Sequence, residues 1–314
     1  PGPGQVLIRV TACGVCHTEL DEIEGRTPPP RLPVVPGHQA VGEVVTVGEN
    51  VKSVRVGQRV GVGWIAAACG ACAHCRAGDD NLCRDFRATG RDIDGGYAEL
   101  MTVDARYAHP LPGGLDDVRA APLLCAGAIG WRSLRLAGLR DGQRLGLTGF
   151  GGSGHLVLQL ARHLYPRSEV FVFARSSETQ GFARELGAAW AGGTRDEPPA
   201  PLDAIIDTTP AWTPIVWALA RLAPGGRLVI NAIRKEDADK RALLDLDYAR
   251  HLWQEKEIKS VANVAGRDIR EFLALAVAAD IRPETEIYDL ADANRALVEL
   301  RSGNVRGAKV LRIA

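Results

Sequence analysis

The 314 residues predict an α/β protein of two domains, one β-rich and one built on a parallel sheet. Three observations predict it. The chain is longer than a single hydrophobic core usually serves. Its first part, to about residue 112, is rich in glycine, proline and short alternating strands. Beyond residue 120, short apolar strands alternate with helical segments, the pattern of a parallel sheet with crossover helices.

Taken in order, the alternating and β-branched runs at 5–11, 41–47 and 59–62 are expected strands. Residues 145–148 form an apolar strand followed by a glycine loop and an apolar helix over 155–164. A strand at 170–174 and a helix at 178–186 follow. Further strands are expected at 204–207, 227–232 and 259–264. The tail adds helices over 269–279 and 290–302 and a last strand at 309–313. The domain boundaries expected from this are 1–122, 123–265 and 266–314. The chain starts at Pro1 inside a Pro-Gly turn, so residues are expected to precede it, and a targeting segment stays open.

Composition narrows the function classes. Apolar residues make up 46% and charged residues 24%, ordinary for a globular protein. Basic and acidic residues balance at 38 each, which gives no electrostatic reason to expect nucleic acid or an anionic membrane as partner. No apolar run is long enough to span a bilayer. The seven cysteines cluster in an enzyme-sized chain. This reads as metal ligation in a reducing, cytoplasmic setting rather than as a disulfide scaffold.

Cys69, Cys72, Cys75 and Cys83 stand as C-x2-C-x2-C-x7-C. Four thiolates at that spacing can close a tetrahedron around a structural zinc. The alternative is a pair of disulfides or unrelated buried thiols. His74 inside the loop is expected to be exposed rather than a ligand. Taken singly, Cys13, Cys16, Cys125 and His38 carry little, since lone cysteines are usually small buried hydrophobes.

Gly149-Phe150-Gly151-Gly152-Ser153-Gly154 joins the 145–148 strand to a helix. In that context the first glycine allows a tight turn, the second admits a pyrophosphate and the third lets helix and strand approach. The free N–H groups of the helix N-terminus would meet the phosphates. The next strand ends at Ala174, where an NAD-binding acid would be expected, and Arg175 and Ser176 follow. An arginine there suits a 2′-phosphate, so NADP is favoured over NAD. A surface arginine on a relaxed NAD enzyme is the alternative.

The segments Cys13-Gly14-Val15-Cys16-His17-Thr18-Glu19-Leu20 and Gly37-His38-Gln39-Ala40-Val41-Gly42-Glu43, the four-cysteine loop, and Leu124-Cys125-Ala126-Gly127 together resemble the zinc-containing medium-chain alcohol dehydrogenases. Their order and spacing agree over nearly the whole chain. The resemblance implies a Rossmann domain inserted in a GroES-like catalytic domain and two zinc ions per chain. It makes Cys16, His38 and Cys125 the catalytic zinc ligands. Two cysteines, a histidine and an open fourth position are the established set for alcohol dehydrogenases, so the resemblance supplies it, not the spacing. The implied reaction is reversible hydride transfer between a small primary or secondary alcohol and NAD(P), with zinc stabilising the alkoxide. A polyol dehydrogenase, a carbonyl reductase or a non-catalytic nicotinamide-binding relative are the alternatives.

The same resemblance assigns further roles. Thr18 would hydrogen-bond the substrate oxygen and start a proton relay, unless it is a helix N-cap. Glu19 stands where an aspartate orients the zinc histidine. His17 stands at a position that faces the cofactor phosphates, or is a solvated side chain. Arg306, in Gly303-Asn304-Val305-Arg306-Gly307, would reach the pyrophosphate. Trp64 would wall the substrate pocket. The departures are Gln39 for a glutamate, Asp21 for a relay histidine and Ile129 for a threonine. Cys13 is expected to be a buried thiol rather than half of a redox pair with Cys16. A small alcohol or aldehyde is the implied partner, in a homodimer or homotetramer.

Overall fold

The computed structural model describes residues 1–303 and 306–313. The chain divides into two units, residues 1–128 with 263–314, and residues 129–262.

The first unit opens with β1 (Gln5–Val15), the short helix α1 (His17–Ile23), β2 (Ala40–Val47) and β3 (Arg59–Val62). There follow β4 (Ile65–Ala67), α2 (Ala73–Arg76), β5 (Arg87–Ala88), β6 (Leu100–Asp104), β7 (His109–Pro110) and α3 (Asp117–Pro122). A wide, π-helical turn over Leu123–Gly127 leads into α4 (Ala128–Ala137).

The second unit contains β8 (Arg144–Thr148), α5 (Gly152–Leu164), β9 (Glu169–Phe173), α6 (Ser177–Glu185) and β10 (Trp190–Gly192). It continues with β11 (Leu202–Asp207), α7 (Thr213–Arg221), β12 (Leu222–Ile230), α8 (Tyr248–His251) and β13 (Glu257–Ser260). The chain then returns to the first unit with α9 (Gly266–Ala278), β14 (Thr285–Asp289), α10 (Ala293–Ser302) and β15 (Ala308–Arg312).

In the first unit the sheet runs β14-β15-β1-β2-β3-β7, with β6 paired to β1. β1 is its axis. Val6, Ile8 and Val10 alternate inward at 0–1% exposure, the period-two burial of a strand with one face on a core. β2 lies antiparallel to it, with Val10 opposite Gly42 and Cys13 opposite Ala40. This pairing brings the chain just before β2, where His38 sits, to the end of β1, where Cys16 follows.

In the second unit all sheet partners are parallel, and the order is β10-β9-β8-β11-β12-β13. Counting from β8, that is 3-2-1-4-5-6, the doubly wound order whose strand direction of travel reverses between β8 and β11. Leu145, Leu147, Ile205, Ile206 and Leu228 are fully buried, as strands covered on both faces must be.

The strand expected at 259–264 is shorter and earlier, at Glu257–Ser260. Asn263 takes a left-handed backbone at φ 59°, which takes the chain out of the strand conformation. Val264 and Ala265 are buried without being strand residues, so apolar content alone misplaced the end of the element.

Candidate metal centre and dinucleotide site

Helix α1 starts one residue after Cys16, which is its N-cap. Glu19, at the third helical position, turns back, and its Oε2 accepts the Cys16 backbone N–H at 2.8 Å. Such a reciprocal cap satisfies an orphan donor of the first turn. The same carboxylate reaches His38: Glu19 Oε1 is 2.5 Å from His38 Nδ1 and accepts the His38 backbone N–H at 3.2 Å. The longer side chain, relative to aspartate, spans both residues. Thr18 is the second helical residue, so it is not the N-cap. Its Oγ1 lies 3.7 Å from Cys16 Sγ.

His38 is held by the turn before it. Gly37 has φ +101°, and a Cβ there would stand 2.3 Å from the Tyr97 ring, so only glycine fits this bend. With Nδ1 spent on Glu19, His38 Nε2 is left buried with no hydrogen-bond partner. It joins Cys16 and Cys125, and the ligand atoms of the three lie within 4.8 Å of one another. Cys125 arrives on the π-helical turn, a geometry frequent at functional sites.

Two soft thiols and an imidazole with a fixed tautomer match a zinc site with one open position. Hydrogen bonding to Cys125 pulls the Cys16 thiol well below its ordinary range, and His38 adds to this against burial. The Cys125 thiol is pushed up, first by that same hydrogen bond and then by burial. Burial pushes the His38 ring down, but Glu19 and Cys16 outweigh it and hold it raised. Cys13 stands apart from this group. It is fully buried and burial pushes its thiol above the usual range, the signature of an inert core thiol.

The second cysteine group closes in one loop. The sulfurs of Cys69, Cys72, Cys75 and Cys83 lie within 4.8 Å of one another, and all seven cysteines are free thiols. Cys69 Sγ and Cys75 Sγ are 3.8 Å apart. A tetrahedron with metal–sulfur bonds of about 2.3 Å has edges of about 3.8 Å, so the spacing suits zinc. Backbone N–H groups of Ala71 and Cys72 point at Cys69 Sγ, each at 3.4 Å, as they do at thiolates. The loop is tied to α9 by an ion pair from Arg267 to Asp79 and by Asp80, which accepts the Gly266 N–H.

In the second unit Gly149 follows β8 with φ +82°, and a Cβ there would meet Thr208 Oγ1 at 2.6 Å. Gly151 caps α5, and Gly152, Ser153 and Gly154 form its first turn. The free N–H groups of that turn lie at the carboxyl ends of the strands, where a pyrophosphate binds in this topology. Ala174 is buried and Arg175 is exposed. The Ser176 hydroxyl caps α6, accepting the Thr179 N–H at 3.1 Å.

Comparison with known proteins decides the family. Residues 2–113 match the alcohol dehydrogenase GroES-like domain. Over 318 residues the chain is 45% identical to a probable alcohol dehydrogenase AdhA of Mycobacterium tuberculosis, covering 100% of this chain and 90% of that protein. The chain belongs to the medium-chain alcohol dehydrogenase family. An alcohol dehydrogenase of Geobacillus stearothermophilus is 33% identical, over 99% of this chain and 92% of its own. Among solved structures, the cobalt- and zinc-bound alcohol dehydrogenase of Pyrobaculum aerophilum superposes with a TM-score of 0.85 at 27% identity, covering 99% and 92% of the two chains. The first unit is thus the GroES-like part of a medium-chain alcohol dehydrogenase, and the second is its Rossmann domain.

Against that family the departures take on local reasons. Asp21 is buried and paired to Arg26, whose Nε lies 2.5 Å from Asp21 Oδ1. Its carboxylate is engaged in an ion pair. Gln39 is buried and packs against Gly14, where a Cβ would stand 2.8 Å from its side chain. Trp64 lies beside the metal group, with its ring 6.5 Å from that of His38 and 5.4 Å from Phe86. His17 is exposed at the start of α1. Arg306 is exposed, and Asn304 and Val305 before it lie outside the described residues.

Sequence reasoning missed Glu22. It stands three residues after Glu19, hence on the same helix face, and that spacing was the available signal. Glu22 is buried, and the Trp64 side chain faces its carboxylate as a hydrogen-bond donor. Burial, then the charge of Glu19, push its carboxyl up to about 8.

Proposed function

We propose that this protein is a zinc-dependent alcohol dehydrogenase that interconverts a small primary or secondary alcohol and its aldehyde or ketone, with NADP favoured over NAD. The observation that carries the reading is the meeting of Cys16, His38 and Cys125, from three distant segments, around the unspent Nε2 of His38. A relative of the same family contains zinc, and the donor set here suits that metal. Zinc held there would supply a Lewis acid for the substrate oxygen, and the nicotinamide cofactor the hydride acceptor.

The chain's own residues do the rest. Glu19 fixes the tautomer of His38 and keeps Nε2 available. The Thr18 hydroxyl beside Cys16 can accept the substrate's proton while donating its own. With the Asp21 carboxylate tied to Arg26, we take the relay onward from Thr18 to water or the cofactor ribose. Trp64 and Phe86 present aromatic bulk beside the metal group and favour compact apolar alcohols.

The glycine turn and the first turn of α5 bind the pyrophosphate. Arg175, exposed and without a protein partner among the described residues, takes the 2′-phosphate of NADP. Cys69, Cys72, Cys75 and Cys83 hold a second, structural zinc. We place the enzyme in the cytoplasm on its unpaired cysteines. Among the described residues no helix is long and apolar enough to cross a membrane. β13 is an edge strand exposed along its length. Such an edge invites pairing, in keeping with a homodimer or homotetramer.

The deciding experiment is steady-state kinetics with NAD and NADP over a panel of alcohols and aldehydes, together with zinc analysis. Two zinc ions per chain and turnover that disappears in Cys16→Ser, with cofactor binding retained, are expected. Full activity in Cys16→Ser would end this reading.

A further inference from the structure

Asp207 is the last residue of β11 and is fully buried. β11 pairs with β8 on one side and β12 on the other. It therefore ends at the point where the strand order reverses, the crevice in which doubly wound sheets bind ligands. Its carboxylate is saturated with donors. Oδ1 accepts from Thr148 Oγ1 at 2.6 Å and from Thr209 Oγ1 at 2.8 Å, while Oδ2 meets Lys235 Nζ at 2.5 Å.

Lys235 comes from the loop after β12, and its side chain is 8% exposed. An ammonium has three donors, and each has a partner here. Beyond Asp207 they go to the carbonyl oxygens of Thr209 at 2.7 Å and Ala211 at 3.1 Å. One charge pair thus joins the ends of β8, β11 and β12. It also sets the segment 208–211, against which the glycine turn rests. Thr208 Oγ1 donates to Thr148 O at 3.1 Å and lies 2.6 Å from where a Cβ on Gly149 would fall. The segment leading to Lys235 carries a buried, unspent donor, Asn231 Nδ2.

A buried ion pair is poor value for stability, since well-packed apolar residues of similar volume often do as well or better. Its distinctive effect is geometric, because removing either charge leaves the other seeking a partner. We propose that Lys235 and Asp207 are positioning residues for the nicotinamide cofactor. They fix the segment 208–211 against the glycine turn and so set cofactor affinity without touching the cofactor. This rests on the nicotinamide reading above.

The test uses Lys235→Met and the charge-neutral double variant Asp207→Asn with Lys235→Met, in which both replacements remove the charge and stay close in volume. Dissociation constants for NADPH and NADH are measured by fluorescence titration of the zinc-loaded protein. Zinc content, thermal unfolding and the kinetic constants for the cofactor are measured beside them. Expected is a rise of at least about tenfold in both dissociation constants, from lost preorganisation. The cofactor KM should rise in parallel, with kcat at saturating cofactor and zinc content little changed.

If Lys235→Met does not fold, the double variant decides. A folded double variant that binds both nucleotides like the parent overturns the proposal, whatever its stability. A parent protein that binds neither nucleotide overturns the underlying nicotinamide reading instead, and the two failures are distinct.

Discussion

Glu19 Oε1 lies 2.5 Å from His38 Nδ1, and the second oxygen of the same carboxylate accepts the backbone N–H of Cys16. One side chain therefore orients two candidate metal ligands nineteen and three residues away along the chain. Replacing it frees both the ring and the start of α1.

Glu19→Ala is accordingly expected to weaken zinc at the Cys16, His38, Cys125 group by roughly 10–100-fold, the usual effect of losing an orienting partner. Chelator competition followed by zinc analysis measures it. One zinc ion per chain should be stripped more easily while the other is retained. Equal resistance of both ions in the variant would contradict the assignment.

The four-cysteine loop makes a separate prediction. Cys72→Ser should reduce zinc by one equivalent and lower stability by more than about 2 kcal/mol, because a metal held there would contribute its binding energy to folding. The loop's ties to α9 through Arg267 and Gly266 should loosen with it, seen as faster amide exchange at 266–268. A variant that keeps two zinc ions and the parent unfolding midpoint would remove the structural-zinc assignment.

The proposed preference for NADP rests on Arg175. If it meets a 2′-phosphate, Arg175→Ala gives up charge-assisted hydrogen bonds of about 1.5–3 kcal/mol. The KM for NADP should then rise at least about tenfold while that for NAD changes little. Equal shifts for both cofactors would show a surface arginine.

His109 supplies a pH prediction outside the metal group. It is buried on β7, and burial, then the charge of Arg270, push its ring from 6.5 down to about 3. Its folded pKa lies below its unfolded one. Between those values the unfolded chain holds a proton that the folded chain does not, so stability falls as pH drops from 6.5 towards 3. The slope from this group is at most about 1.4 kcal/mol per pH unit. His109→Leu should remove that contribution in denaturant unfolding measured from pH 4 to 7. An unchanged slope would mean that His109 is protonated in the fold.

The amino-acid sequence by itself determined the features that depend on near neighbours. The four cysteines within one loop can converge only locally, and the strand-glycine-helix run dictates its own turn through the backbone freedom of Gly149. The period-two burial of β1 and the helices α5 and α6 were legible for the same reason. Short elements were not: β10 and β14, of three and five residues, carry too little pattern, and the stretch 259–264, with Val261 and Val264, imitates a strand while Asn263 turns the chain away.

Tertiary structure alone decided which distant groups meet. Nothing in the spacing of Cys16, His38 and Cys125 says that they share a site, and only the antiparallel register of β1 with β2 and the π-helical turn bring them together. Whether Asp21 ends a proton path or pairs with Arg26, whether Glu22 is solvated or buried, and whether Lys235 is a surface charge or a partner of Asp207 are questions of contact. Charge and burial at those positions are properties of the folded neighbourhood, which residue identity does not contain.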